Sequence, residues 1–362
     1  MPSTSLPETL CDIVIPIWNQ PEMTKRCLDS VLAAAAEPIR LILVDNGSEP
    51  LTREMLDRFR ADSRMPVEIL RNPTNLGFIK AVNQGIRSAR APWVCLLNND
   101  TVVTSGWLTE MIRVAESDPK IGLVNPTSNC LGYPDKGLSP EEIVRRLAKE
   151  QGRSVPLSTA MGFCLLARRA LFDRIGDLDE QFGMGNFDDD DLSLRVRQAG
   201  LRPVRALAAY VHHEGKVSFK QLPGWKKAFD ENRKRFEQKW GRRLRILWGP
   251  AVPAAVSLEA IAGAGHWICV VGPRSAGAAQ KVEHAQIEFL EYPDRCWRHQ
   301  ATWRLIVKRK KPFDLVVSHD PVWSGWVRRL RVLHRARLLN NPTENELSKQ
   351  CRTLSRSRSG PR

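Results

Sequence analysis

The feature that most constrains the fold is an alternation of short apolar runs with stretches of helical periodicity. Four runs rich in Val, Ile and Leu, each interpreted as a buried strand, are separated by stretches with apolar residues three or four apart; the runs are residues 12–17, 41–44, 67–70 and 93–97. Strands and helices in such alternation are typical of a mostly parallel sheet covered by helices. The sequence therefore predicts an α/β domain.

Polar side chains follow three of these strands. Trp18-Asn19 come after the first strand, Asp45-Asn46 after the second, and Asn98-Asn99-Asp100 after the fourth. Ligands of such sheets bind at the carboxyl ends of the strands. We therefore expect these groups to converge on one edge of the sheet and to form a site there.

The tetrad Asn98-Asn99-Asp100-Thr101 favours a divalent cation held by few protein ligands. Mg²⁺ and Mn²⁺ take oxygen ligands and share them with substrate phosphates. A simple Asx turn is the alternative interpretation. Farther along the chain, His212-His213 end another predicted strand, where they are either metal ligands or structural histidines.

Four adjacent carboxylates, Asp188 to Asp191, precede a predicted helix. Such a run is costly unless a cation, a helix N-terminus or a shared proton relieves the repulsion. One of them with a raised pKa is a candidate general base. The alternative is a solvated acidic loop in which one aspartate caps the helix, and Asp191 is the expected cap or structural anchor.

A weaker signal is Asn75-Leu76-Gly77-Phe78 at a predicted helix start. Gly77 permits a close approach of the backbone to an anion, although a plain loop-to-helix turn explains the pattern equally well.

Taken in order, these pieces resemble the family 2 glycosyltransferases, a group of inverting enzymes with the GT-A fold. The resemblance rests on residues 14–19, 43–48, 75–78, 96–101, 162–165 and 176–182, followed by the acidic run and the histidine pair. It implies a GT-A catalytic domain with a mostly parallel central sheet over residues 1–241.

The resemblance also implies roles for individual residues. The residues implied to bind the nucleotide sugar are Pro16, Trp18, Asn19, Asp45, Asn75, Gly77, Asn98 and Asn99. Asp100 would bind Mn²⁺ or Mg²⁺, with His213 or His212 as the second ligand. Asp189 matches the catalytic base, and Asp188 and Asp190 remain alternatives to it. The chain departs from the family in having Asn98 and Asn99 in the metal-binding motif, and Asp188 in place of a glutamate.

The activity implied is metal-dependent, inverting transfer of a hexosyl or deoxyhexosyl group from a UDP- or dTDP-sugar to an acceptor hydroxyl. Glycan, lipid-linked and protein acceptors all stay open, and synthesis of surface polysaccharide or glycoconjugate is the expected setting. A non-catalytic scaffold that binds nucleotide sugars or carbohydrate on the same fold is the alternative.

A second strand-helix alternation begins near residue 242 and predicts a smaller Rossmann-like α/β domain over residues 242–345. Residues 244–249, 265–271 and 313–320 weakly resemble strands of the N-terminal half of GT-B glycosyltransferases. We expect residues 346–362 to be a basic, disordered tail.

The net charge of +15 is concentrated at the C-terminal end, where residues 301–362 hold fifteen Lys and Arg against four Asp and Glu. This favours contact with an anionic membrane or acceptor, and a solvated basic tail with no specific partner is the alternative. No nucleic acid is expected, because no aromatic platform accompanies the basic residues. The start of the chain lacks a signal-peptide pattern, and the eight cysteines include no C-x-x-C pair. We therefore expect a cytoplasmic protein with reduced thiols, free or peripheral at the inner face of the membrane.

Overall fold

The computed structural model describes residues 9–133, 137–215, 224–253, 256–276, 282–307 and 311–356. The chain divides into two compact units, the first comprising residues 1–155 with 159–233 and the second residues 156–158 with 234–362. The division falls within the helix Trp225–Trp240, a few residues before the boundary predicted after residue 241.

The first unit is built on one mixed sheet. Its strands are β1 (Cys11–Ile17), β2 (Ile39–Asn46), β3 (Val67–Asn72), β4 (Trp93–Leu97), β5 (Thr101–Val103), β6 (Ile121–Thr127), β7 (Ser154–Pro156), β8 (Cys164–Arg168) and β9 (Arg202–His213). They lie in the order β3-β2-β1-β4-β8-β6-β9-β5, and β7 pairs with β9. The pairs among β1 to β4 and the pair β6-β9 are parallel, whereas β8 and β5 run antiparallel to their neighbours.

Helices connect these strands, as the apolar periodicity predicts. They are α1 (Pro21–Ala34), α2 (Pro50–Asp62), α3 (Phe78–Ser88), α4 (Trp107–Ser117), α5 (Pro140–Leu147), α6 (Arg169–Ile175), α7 (Asp188–Gln198) and α8 (Trp225–Trp240). Every residue of β1 and β4 is buried, which explains their continuous apolar sequence. Helix α3 packs closely on β1, because a Cβ at Gly85 would lie 2.2 Å from Cγ1 of Val14.

Two short strands position the site. Strand β5 follows Asp100 directly and pairs with the end of β9, so that Thr101 lies opposite His213. Strand β8 pairs antiparallel with β4 and brings Cys164 opposite Leu97. The end of β4 therefore lies between residues that are distant in the chain.

The second unit has a five-stranded, fully parallel sheet in the order β12-β11-β10-β13-β14. Its elements are β10 (Arg245–Gly249), α9 (Leu258–Gly263), β11 (Trp267–Pro273), β12 (Ile287–Tyr292), α10 (Trp297–Ile306), β13 (Leu315–Ser318), α11 (Pro321–Arg329), α12 (Arg331–His334), β14 (Arg337–Asn340) and α13 (Glu344–Arg356). This is the second α/β domain that the sequence predicts.

The prediction of a disordered tail from residue 346 is wrong for residues 346–356. They form most of helix α13, which buries Leu347 and Cys351 and packs Leu354 against the core of the second unit. These apolar residues recur at helical spacing and supply the buried face that the charge of the segment obscures. Residues 357–362 lie outside the described part of the chain.

Within the described residues, no helix has both the length and the apolar character that crossing a bilayer requires. All eight cysteines are free, and most of them are buried.

Candidate active site

One side of the candidate site is formed where β1, β2 and β3 end. In the parallel register Ile17 lies opposite Asp45, and Asn46 lies opposite Asn72. The loop after β1 is fastened to the loop after β2, because the Asn19 amide donates to Ser48 Oγ at 2.9 Å and Asn19 Oδ1 accepts from the Glu49 amide at 2.8 Å. Asn19 adopts a left-handed conformation with φ 55°. Trp18 is therefore held at the rim between these loops.

Asp45 is fully buried and its carboxylate is already engaged. Oδ1 accepts from the Ser48 amide at 3.0 Å, and Oδ2 lies 3.2 Å from Nη1 of Arg71 and 3.9 Å from Nε of Arg53. Sequence reasoning did not identify either arginine. Both side chains are partly exposed, so the Asp45 carboxylate presents two guanidinium groups at this edge of the sheet.

A network of amides holds the turn before α3. Asn46 Nδ2 donates to Asn75 Oδ1 at 2.8 Å and to the Gly77 carbonyl at 3.2 Å. Asn46 Oδ1 accepts from Asn72 Nδ2 at 3.0 Å, and Asn72 in turn exchanges hydrogen bonds with Gln84. Gly77 has φ 92°, a conformation that favours glycine. Asn46 therefore holds Asn75 and Gly77 close to the end of β2, and Asn72 supports this network.

Asp100 and His213 meet at the end of β4. Nε2 of His213 lies 3.1 Å from Oδ1 of Asp100, and the imidazole stacks on Phe163 with ring centroids 4.9 Å apart. Burial lowers the pKa of His213, but Asp100 and then Cys130 outweigh burial and raise this pKa to about 9. Asn129 fixes the backbone of His213 through two hydrogen bonds of 2.9 and 3.0 Å.

The pairing of β5 with β9 decides between the two histidines. His213 is opposite Thr101 and His212 is opposite Val102. Neighbouring side chains of a strand point to opposite faces, so His213 is directed to Asp100 and His212 is directed away from it.

The residues around Asp100 fit a divalent cation. They offer a carboxylate oxygen, an imidazole nitrogen and Oδ1 of Asn98, which is buried and has no hydrogen-bond partner in the described part of the chain. Asn99 differs, because its Nδ2 donates to Thr24 Oγ1 at 2.9 Å and ties the loop to α1. No cluster of three or more Asp, Glu, His or Cys side chains forms a metal centre among the described residues. Mn²⁺ or Mg²⁺ sharing its shell with a diphosphate suits so few protein ligands.

The acidic run forms the first turn of α7 rather than a loop. All four aspartates belong to the helix, and Phe187, its N-terminal flanking residue, makes no side-chain capping bond. The helix N-terminus favours negative charge and offsets part of the repulsion between the carboxylates. Asp191 is fully buried and bonds Nε of Arg195 at 2.8 Å, while Arg195 also donates to the carbonyls of residues 175–177. Asp191 is therefore a structural anchor and not a cap.

Two of the remaining aspartates, Asp188 and Asp189, have raised pKa values. Burial is the main cause that raises the pKa of Asp189 well above its ordinary value, followed by the charges of Asp190 and Asp188. Burial, with smaller contributions from Asp190 and Asp191, raises the pKa of Asp188 to about 6. Asp188 is 5 % exposed and Asp189 is only partly covered. Asp190 Oδ1 accepts from Thr159 Oγ1 at 2.7 Å, and Asp189 Oδ1 accepts from the Asp190 amide at 2.8 Å.

Two adjacent residues connect the acidic turn with the metal side. The amide of Gly162 lies 3.4 Å from Oδ2 of Asp189. The carbonyl of Phe163, one residue on, accepts from the Asn98 amide at 2.8 Å, and the Phe163 ring covers His213. The segment therefore touches Asp189 on one side and the Asp100-His213 pair on the other. Asp189 and His213 are therefore each in contact with one of two adjacent residues.

The loop before α7 is held by the first half of α8. Asn232, which is 5 % exposed, donates through Nδ2 to the carbonyls of Phe182 and Gly185 at 2.6 and 2.9 Å. Phe187 packs on Phe229 with ring centroids 5.2 Å apart. Asn186 and Phe187 both have positive φ, at 73° and 71°, which costs about 1–3 kcal/mol each. Contacts with α8 therefore stabilise an otherwise unfavourable turn.

Residues 12–176 match the model of glycosyl transferase family 2. The match covers slightly less than half of the chain, so the chain is similar to this family over that segment. A curated relative, the O-antigen biosynthesis protein RfbC of Myxococcus xanthus, is 28 % identical over 56 % of this chain, and the match spans 17 % of that protein. The N-acetylglucosaminyl-diphospho-decaprenol L-rhamnosyltransferase of Mycobacterium tuberculosis is 27 % identical over 52 % of this chain and 71 % of its own length.

The solved structure of GalNAc-T7 with UDP, GalNAc and Mn²⁺ shares the fold of part of this chain. It is 18 % identical, with a TM-score of 0.50, over 64 % of this chain and 50 % of that one. The expected GT-A-type fold is thereby confirmed. The family model ends before Asp188, so the geometry at Gly162, and not the family match, connects the acidic turn with the rest of the site.

Proposed function

We propose that the first unit catalyses inverting transfer of a hexosyl or deoxyhexosyl group from a UDP- or dTDP-sugar to an acceptor hydroxyl. The observation that carries the proposal is the contact of residues 162–163 with both Asp189 and the Asp100-His213 pair. A base and a site for the leaving diphosphate then lie on either side of one short segment, as displacement at the anomeric carbon requires.

Different residues of the chain bind the nucleoside, hold the metal and accept the proton in the proposed reaction. The loops after β1, β2 and β3 hold the nucleoside, with Arg71 and Arg53 at its rim. Asp100, His213 and Asn98 would hold Mn²⁺ or Mg²⁺, which when bound neutralises charge on the leaving diphosphate. Asp189 accepts the proton of the acceptor hydroxyl, and its raised pKa keeps it a strong enough base for an alcohol. The oxygen attacks from the face opposite the diphosphate, so an α-linked donor gives a β-linked product.

The proposed setting is synthesis of a surface polysaccharide or glycoconjugate, since the two curated relatives named above act there by name. A lipid-linked glycan is the acceptor we favour among glycan, lipid-linked and protein acceptors. Peripheral contact with an anionic membrane through the basic C-terminal region would bring the enzyme to such an acceptor.

The first experiment compares the parent chain with Asp189→Asn across a panel of UDP- and dTDP-sugars, with Mn²⁺ and lipid-linked acceptors. We expect Asp189→Asn to lower turnover about 10²–10⁴-fold, because general-base help of that size is lost. Donor affinity, measured by calorimetric titration, should stay unchanged. The matched control is Asp173→Asn, an exposed aspartate of α6, which should keep full turnover.

Full turnover by Asp189→Asn would refute the base assignment. NMR of the product tests inversion, and an α-linked product from an α-linked donor would refute it. Donor binding by the parent chain without transfer to any acceptor would instead favour a non-catalytic scaffold.

A further inference from the structure

The second unit exposes apolar side chains on three helices that contact one another, α10, α11 and α12. Nine large apolar side chains are exposed among the described residues, and five of them belong to this region: Trp303, Val307, Val322, Val332 and Leu333. Val332 is 81 % exposed, Trp303 67 % and Leu333 61 %. The exposed apolar area is therefore concentrated on one group of helices rather than scattered, which marks an interaction surface.

A groove between α10 and α11 continues this apolar area. Its volume is about 670 Å³, and it is lined by His299, Gln300, Thr302, Trp303, Ile306, Trp326 and Leu330. Trp303 and Trp326 give this groove two amphipathic rings, the residue type that collects at the boundary between water and lipid. We call these helices and their groove the α10–α12 surface.

The charged residues of the α10–α12 surface have one sign. Arg328, Arg329, Arg331 and Arg335 are exposed, and none of them has a carboxylate partner among the described residues. Three acidic groups of the neighbouring elements are paired with other arginines. Asp320 is paired with Arg298 at 2.6 Å, Glu288 with Arg304 at 2.6 Å and Asp314 with Arg242 at 2.8 Å. The four free guanidinium groups therefore favour an anionic partner.

The partner must accept both the arginines and the aliphatic side chains. A nucleic acid or an acidic peptide can satisfy arginine, but neither gains from Val332 and Leu333, which would remain in water. The boundary between anionic headgroups and acyl chains accepts both, because valine, leucine and tryptophan insert while arginine stays at the phosphates.

We propose that the α10–α12 surface is the site at which the protein docks onto an anionic lipid bilayer. The proposal rests on the proposed function in one respect, since docking brings the transferase to a lipid-linked acceptor. The surface itself is independent of the catalytic residues, all of which belong to the first unit.

The test is sedimentation of the full chain with vesicles of phosphatidylcholine alone or with a third of phosphatidylglycerol, without donor or acceptor. We expect at least tenfold tighter binding to the anionic vesicles. The variant with Trp303→Ser and Leu333→Ser should lose tenfold or more of this affinity, and so should the variant with Arg329→Gln and Arg331→Gln. These side chains are exposed, so the variants should keep the parent's circular dichroism and melting temperature.

Matched controls come from the first unit. Leu51→Ser removes an apolar side chain that is 67 % exposed, and the pair Arg58→Gln with Arg64→Gln removes two exposed charges. Both controls should sediment like the parent. Unchanged sedimentation of the surface variants, equal binding of the parent to neutral vesicles, or preference for an acidic polymer over the vesicles would each overturn the proposal. Release of nucleoside diphosphate with a soluble acceptor is measured separately, so that failure of catalysis is distinguishable from failure of docking.

Discussion

At the scale of single residues, the site depends on carboxylates that repel one another. Asp188, Asp189 and Asp190 are adjacent, partly or fully buried, and relieved in part by the start of α7. Burial, and after it the repulsion from Asp190 and Asp188, keeps the pKa of Asp189 high, and a high pKa makes a carboxylate a better proton acceptor. The repulsion therefore destabilises this turn, and it also contributes to the raised pKa that the proposed reaction uses.

The pH dependence of turnover should report this repulsion. A base works when it is deprotonated, so turnover should rise with pH along an acidic limb above the ordinary aspartate range of about 4. Asp190→Asn removes the larger of the two neighbouring charges that raise the pKa of Asp189. The pKa should fall and the limb should move to lower pH, by more than it does in Asp188→Asn. A limb that stays in place in both variants would mean that Asp189 is not the titrating base.

The free energy of unfolding should fall with rising pH over the range in which Asp188 titrates. The pKa of Asp188 is about 6 in the folded chain, so the folded state binds a proton more tightly than the unfolded state between about pH 4 and 6. Stability is therefore lost as the pH rises through this window. Asp188→Asn should unfold at a higher urea concentration than the parent at pH 7, and the difference should shrink towards pH 4. A midpoint difference independent of pH would contradict this account.

The two histidines should differ in their effect on metal dependence. His213→Ala should raise the Mn²⁺ concentration needed for half-maximal transfer about tenfold or more, because it removes a group directed to Asp100. His212→Ala is the matched control, since its side chain is opposite Val102 and directed away. Titration of the chelator-treated protein with Mn²⁺ measures both. An equal Mn²⁺ requirement in the two variants would mean that His213 is not part of the proposed metal site.

At the scale of elements, helix α8 is the support of the acidic turn. Asn232→Asp keeps the shape of the side chain but sets a carboxylate against the carbonyls of Phe182 and Gly185. We expect kcat to fall about tenfold or more with the donor KM unchanged, since the loops after β1 to β3 are untouched. Glu231→Gln, on the exposed side of the same helix, should behave like the parent. A parallel rise in KM would indicate general disruption of the fold and not loss of positioning.

The elements also show how far local sequence carries a prediction. Buried strands of β-branched residues and helices of regular period were predictable, and with them the convergence of Asp45 and Asp100 on one edge. The hydrogen bonds from Asn232 to residues 182 and 185 were not predictable, because they join positions about fifty residues apart through tertiary packing. The same holds for Gly162 and Asp189. Helix α13 was missed for another reason, since its charge concealed apolar residues at helical spacing.

At the scale of the whole molecule, charge and chemistry belong to different units. The fifteen Lys and Arg of residues 301–362 all lie in the second unit, whereas Asp100, Asp189 and His213 belong to the first. The long-range field of the chain therefore comes from the part that carries no proposed catalytic residue.

Salt should weaken the proposed membrane binding of the second unit and leave the proposed transfer reaction of the first unit nearly unchanged. At about 0.1 M ionic strength charges are screened over about 10 Å, and at about 1 M over about 3 Å. Binding to anionic vesicles should therefore decline steeply as NaCl is raised, while transfer to a soluble acceptor should change little. Sedimentation and diphosphate release at the same salt concentrations measure this. A matching decline of both would mean that the basic region takes part in donor binding.

The junction at Gly162 and Phe163 has a consequence for how such enzymes diversify. The loops proposed to hold the donor all come from the first hundred positions of the chain, whereas the proposed proton acceptor follows much later and contacts the segment at Gly162 and Phe163. If these roles hold, substitutions that change the surroundings of the acceptor hydroxyl can accumulate after Phe163 without altering the loops proposed to hold the nucleotide. One set of donor-binding loops could thus be combined with different acceptor sites.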